Sequence, residues 1–305
     1  MWALFGIGAS CCFAITAYID EYLTRNNAAI NEPSIHTRIG PIVLTSLMAN
    51  ILSVLVIFFL IDDFNQNLHM TVQAFLTGIP TVSVLIVYLY LLDTHEAPIV
   101  VPLFQLTSVW LLAISMLLGE SVTNFGIIGV LLVVLGAYIL DSGKNFGKLP
   151  TKLLVVMMLN TAVWSLTLVW MVKLSREMGG VLPVIFWQDI CATCIGVLLF
   201  VFIRPYRKGL SMRYRVQKTM FSSLTLSNEV LSQVGYACKY FAITYAPVVA
   251  YGNALSGLEG LLLLLVFAVF PITAQKIGFM QVCAVALMCT GVVCIDFSAT
   301  NSLLF

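Results

Sequence analysis

The sequence predicts an all-α membrane protein of ten transmembrane helices, arranged as two five-helix repeats of inverted topology. Three observations predict it. The 305 residues are 60% hydrophobic and only 10% charged, whereas soluble domains sit near about 45–50% apolar and about 25% charged. Only lipid can cover that much apolar surface. The apolar residues fall into ten runs, each close to the ~20 residues that cross a ~30 Å hydrocarbon core. Short motifs in the first five runs also recur, in the same order, in the last five.

The first run, Trp2–Ile19, has no basic stretch before it and no A-x-A site after it, so it reads as a retained helix rather than a signal peptide. It leaves through the polar segment Asp20–Gly40. The second, Ile42–Ile61, opens on Pro41. The third, Thr71–Leu92, and the fourth, Ala97–Leu118, are joined only by Asp93–Glu96. So short a link forces antiparallel neighbours. The fifth is Val122–Leu140. Gly143, Gly147 and Pro150 then mark a joint, giving a first repeat over 1–141, a linker over 142–152 and a second repeat over 153–305. The sixth and seventh runs are Leu153–Val172 and Leu182–Ile203, followed by the basic segment Arg204–Lys218. The eighth, Met220–Tyr245, meets the ninth, Ala246–Phe270, at Ala246-Pro247. The tenth is Ile277–Ile295.

The halves share landmarks. Ala97-Pro98-Ile99-Val100 matches Ala246-Pro247-Val248-Val249. Gly136 through Asp141 matches Gly291 through Asp296. Leu23-Thr24-Arg25 matches Leu174-Ser175-Arg176, and Pro41-Ile42-Val43 matches Pro183-Val184-Ile185. An odd number of spans per repeat makes the second copy enter the membrane the opposite way round, a construction common in secondary transporters.

The stretch Ala97-Pro98, Pro102-Leu103, Gln105-Leu106, Leu117-Leu118-Gly119-Glu120, Gly129 and Gly136 resembles an EamA-type domain of the drug/metabolite transporter superfamily. The Ile19-Asp20-Glu21-Tyr22-Leu23 exit is similar to that of some members. The resemblance covers nearly the whole chain and is strongest over 75–141. It implies two domains, ten helices in a 5+5 inverted repeat, a central cavity and alternating access without ATP. The second copy departs from the pattern, since Phe267-Ala268-Val269 stands where Leu118-Gly119-Glu120 would map. In the fourth span, Thr107-Ser108 stands where the family often has a proline.

Net charge is +1, which gives no reason to expect a nucleic-acid partner. Twelve Lys and Arg fall in loops after odd-numbered spans and only Lys173 and Arg176 after even ones. The positive-inside bias therefore places odd loops in the cytoplasm and both termini outside. The family resemblance implies the reverse. Arg204–Lys218 supplies six of the twelve, as a topological determinant or as a surface for anionic headgroups. The eight cysteines lie in apolar runs, as expected of buried free thiols. Cys191 and Cys194 form a lone C-x-x-C, with no second pair and no nearby His to complete a metal site.

Ionisable residues inside hydrocarbon each cost about 2.5–3.5 kcal/mol to insert and need a reason. Asp189 lies in the seventh span, Glu229 and Lys239 in the eighth, and Glu259 in the ninth, all in the second half. Glu229, Gln233, Tyr236 and Tyr240 share one helical stripe, with Asn228, Ser232, Gly235 and Lys239 alongside it. These stripes read as a cavity wall or as an interhelical hydrogen-bond seam. Glu259, with Asn253 and Ser256 nearby, reads as a substrate or proton carboxylate, or as the partner of Lys239 across the Ala246-Pro247 break. Asn160, Thr161, Trp164 and Ser165, with Gln105 and Ser108, are further cavity candidates; small polar residues also serve ordinary helix packing.

No P-loop, Ser/His/Asp set or H-E-x-x-H motif is present, so the sequence predicts no enzyme, metal or cofactor. The expected function is secondary transport or export of a small organic metabolite by alternating access, proton-coupled or exchanging, in the cell (inner) membrane, by a monomer or homodimer. A flippase of a lipid or lipid-linked precursor is the alternative, and a non-transporting membrane subunit or sensor a further one.

Overall fold

Helix follows helix along the chain, and among the described residues there is no strand. The structure, a computed structural model, describes residues 1–25, 34–61, 67–95, 97–120, 122–141, 151–216, 218–269 and 279–302. The expected linker lies outside them except for Thr151 and Lys152. In order the helices are α1 (Trp2–Arg25), α2 (Ile35–Leu60), α3 (Leu68–Leu76), α4 (Gly78–Thr94), α5 (Ala97–Leu103), α6 (Leu106–Leu117), α7 (Asn124–Asp141), α8 (Thr151–Glu177), α9 (Val181–Phe202), α10 (Arg204–Val216), α11 (Lys218–Tyr245), α12 (Val249–Ala254), α13 (Leu258–Val269) and α14 (Phe279–Ser302). A 3-10 turn, Leu255–Gly257, joins α12 to α13.

A helix, or a consecutive set of short helices, lies over each of the ten expected segments. Five stretches are long and apolar enough to cross a membrane: Trp2–Thr24, Ile35–Leu60, Leu68–Thr94, Thr151–Glu177 and Val181–Phe202. This is a membrane protein by helix length and composition. Its outward apolar faces agree: Ile51, Leu52, Leu55, Val56, Phe58, Phe59 and Leu60 of α2 are all exposed, which in water would be an aggregation surface.

The helices group into two compact units, each drawing on both sequence halves. The first comprises Met1–Ile15, Ala97–Val169 and Cys238–Phe305, the second Thr16–Glu96 and Trp170–Ala237. In the first, α7 and α14 run antiparallel and touch backbone to backbone. A Cβ on Gly129 would meet the Gly291 carbonyl oxygen at 2.7 Å, and a Cβ on Gly291 would meet that of Gly129 at 2.6 Å. Only glycine permits this approach. The unit also contains two interrupted helices, α5–α6 and α12–α13. Asn253 Nδ2 donates to Ser108 Oγ at 2.8 Å, and Gly257 packs against Val133 and Gln105 too closely for any side chain of its own. Ser10 Oγ of α1 donates to the Leu255 carbonyl at 3.0 Å. Ser165 Oγ of α8 donates to the Thr107 carbonyl at 3.2 Å.

In the second unit α2 and α9 are antiparallel, with Gly196 against Leu47 and Thr193 Oγ1 donating to the Leu47 carbonyl at 3.3 Å. The α3–α4 break falls at buried Thr77, whose hydroxyl donates to the Ala74 carbonyl at 2.6 Å. Gly78 then packs against Cys191 and the Gln188 carbonyl. Arg38 of α2 forks onto Asp93 of α4, Nε to Oδ1 at 3.0 Å and Nη2 to Oδ2 at 2.6 Å.

The basic segment expected as a loop is helical as α10. Its Tyr206 packs against Gly40, and its Gly209 against the Thr37 carbonyl. Pro41 has no N–H to give that carbonyl, so the helix surface is open where Gly209 arrives. Arg213 is fully buried and donates to the Leu23 carbonyl near the C-terminal end of α1 at 2.8 Å, where cations are favoured. Burial pulls its guanidinium down to about 10, still charged near neutral pH. The cysteines correct one expectation. All are free, but of the eight only Cys191 is buried, while Cys11, Cys194 and Cys289 are exposed.

Candidate functional site

Each unit holds a polar cluster on an otherwise apolar frame. In the first unit the centre is Lys239, in the last two turns of α11. Its ammonium stands 5.8 Å from the Phe13 ring centroid of α1 and 5.9 Å from that of Trp164 on α8. Both distances are within cation–π range. Glu259, in the first turn of α13, interacts electrostatically with Lys239. Both side chains are half-buried. The interruption of the ninth segment places Glu259 at a helix start, where backbone N–H groups and the helix dipole favour a carboxylate.

Other expected residues gather in the same unit. Asn160 lies one turn before Trp164 on the same face of α8. It is buried, and its Nδ2 has no hydrogen-bond partner among the described residues. Gln105, Ser108 and Asn253 are buried at the two helix interruptions. Thr161 and Ser165 donate to carbonyls of their own helix at 2.7 Å each, as packing residues do. Ser256 falls in the 3-10 turn, and its side chain lies outside the description.

The second unit holds Asp189, Glu229, Gln233 and Tyr236. Their partners come largely from α2, in the first sequence half. Ser46 Oγ donates to Glu229 Oε1 at 2.6 Å. Gln233 Nε2 donates to Asn50 Oδ1. Ser53 hydrogen-bonds Asp189. Glu229 is 5% exposed and Asp189 4%, so neither is a solvated residue at a membrane surface. Tyr236 is half-buried.

The first half also brings buried carboxylates of its own. Helix α1 continues past Ile19 to Arg25, carrying Asp20 and Glu21 into the fold. Asn228 Nδ2 donates to Asp20 Oδ1 at 2.8 Å, and Tyr88 Oη donates to Asp20 Oδ2 at 3.3 Å. The apolar run ends at Ile19, but helical hydrogen bonding does not need apolar side chains once neighbouring helices supply polar partners. Ser46, Asn50 and Ser53 recur at i, i+4 and i+7, one stripe on an apolar span, a spacing that places them on one face without naming their partners.

No protein-family model matches the chain, and no curated protein does. A solved structure described only as "Crystal structure of protein" matches 98% of this chain with 98% of its own, at a TM-score of 0.69 and 16% sequence identity. A likeness at that identity shows a shared fold and nothing about activity.

Proposed function

We propose that the chain is a secondary transporter of a small organic metabolite, built as ten spans in two inverted five-helix repeats and working by alternating access in the cell membrane. The observation that carries this reading is Lys239. A lysine in cation–π reach of the Phe13 and Trp164 rings, and sensing Glu259, sits in the unit that contains the interrupted helices α5–α6 and α12–α13. Intramembrane charges mark substrate or ion pathways, and discontinuous helices line binding sites in transporters with inverted repeats. The Nδ2 of Asn160 offers a donor one helical turn away. The resemblance to EamA-type domains supports the same reading.

In this reading Lys239 and Glu259 bind opposite charges of the substrate or release each other when it arrives. Trp164 and Phe13 stack on its apolar part, and Gln105, Ser108, Asn160 and Asn253 provide amide and hydroxyl contacts. The test is flux of pooled metabolites into liposomes holding the purified protein, at two pH values. Flux that falls on Lys239→Ala and on Glu259→Gln supports the site. Unchanged flux in both variants removes it. Absence of flux for every pool shifts the reading to a flippase, or to a subunit without transport.

A further inference from the structure

Helix α10 has two faces that the helical period separates. Tyr206, Gly209 and Arg213, at i, i+3 and i+7, are buried. Arg204, Arg207, Lys208, Ser211 and Tyr214, at i, i+3, i+4, i+7 and i+10, are all exposed. The inward stripe is fixed by Gly40, the Thr37 carbonyl and the Leu23 carbonyl, so α10 is a docked element. Its outward stripe carries three cations in just over one turn.

What precedes α10 says where that stripe lies. A single extended residue, Ile203, joins it to α9. The last turns of α9 expose Val197, Leu198, Val201 and Phe202, the last at 76%. Large apolar side chains at the end of a span contact lipid tails, and within two residues the chain turns to Arg204. Tyr214, on the same stripe as the cations, is of the type enriched where tails meet headgroups.

We propose that the outward face of α10 is a binding surface for anionic lipid headgroups. Arg204, Arg207 and Lys208 dock on headgroup phosphates, and Tyr214 sits at the interface. Zwitterionic lipid offers these cations little net attraction. An anionic leaflet gives each about a fivefold gain in affinity, so three give on the order of a hundredfold. Bound lipid braces α10, and through Arg213 it braces the end of α1. The surface is independent of the transport reading.

The test uses the full chain in detergent, titrated with phosphatidylglycerol or phosphatidylcholine and followed by thermal midpoint and by lipid retained in native mass spectrometry. Phosphatidylglycerol is expected to bind in preference and to weaken as salt rises. The triple variant Arg204→Gln, Arg207→Gln, Lys208→Gln is expected to lose about a hundredfold, and Arg204→Lys with Arg207→Lys to keep binding. Should the triple variant fail to fold, Arg207→Gln and Lys208→Gln singly are each expected to lose about fivefold. Equal binding of phosphatidylcholine, or retention of phosphatidylglycerol without the three cations, overturns the proposal.

Discussion

Lys239 and Glu259 define what single side chains contribute here. Each is half-buried and each feels the other, so truncating one leaves a charge in a medium that solvates it badly. Lys239→Ala or Glu259→Gln alone is expected to cost about 1–3 kcal/mol, read as a lower thermal midpoint in a fixed detergent. The double variant should cost less than the two singles added, and strict additivity would mean that the residues do not communicate. Trp164 tests the aromatic contact separately. Trp164→Phe keeps a ring under the ammonium and Trp164→Ala removes it. The alanine variant should lose about 1–2 kcal/mol of stability, read as a lower thermal midpoint, with phenylalanine between it and the parent. Much of this set was legible in the sequence, because a lysine or a carboxylate in an apolar run stands out against its neighbours. The partners were not. Ser46, Asn50 and Ser53 are common in packed membrane helices, and only contact with Glu229, Gln233 and Asp189 reveals what they do.

At the scale of elements, runs of apolar residues announce helices that cross a membrane, but not how those helices break or extend. The third segment breaks at Thr77, next to Gly78, and the fourth at Phe104-Gln105, where no glycine stands. The cause in the first case is tertiary: Gly78 must fit against Cys191 and the Gln188 carbonyl. Asp20 and Glu21 extend α1 because Asn228 and Tyr88 receive Asp20. Helix α10 was visible as charge but not as structure, since counting Lys and Arg does not ask which ones share a face. Gly209 tests its docking. Gly209→Val places a side chain on the Thr37 carbonyl, which is backbone and cannot move aside. Amide exchange across α10 is expected to accelerate, with that of α7 unchanged. Protection of α10 equal to the parent's would refute this packing.

For the whole molecule, orientation is open to a direct measurement. The excess of Lys and Arg after odd-numbered spans predicts that α10 faces the cytoplasm. In a background without native cysteines, Lys208→Cys should react with a membrane-impermeant thiol reagent only after cells are opened. Labelling in intact cells would reverse the assignment and favour the orientation implied by the family resemblance. The contact between Gly129 and Gly291 has a consequence of another kind, in what an alignment of relatives will record. Each glycine is required by the other's backbone, so a larger residue at one position cannot be rescued by any choice at the other. Lys239 and Glu259 are different, because a charge change at one can be answered at the other. The evolutionary record should therefore show two positions that are both fixed and carry no mutual information, beside a polar pair that drifts together. This backbone contact between α7 and α14 will be one that covariation methods fail to see.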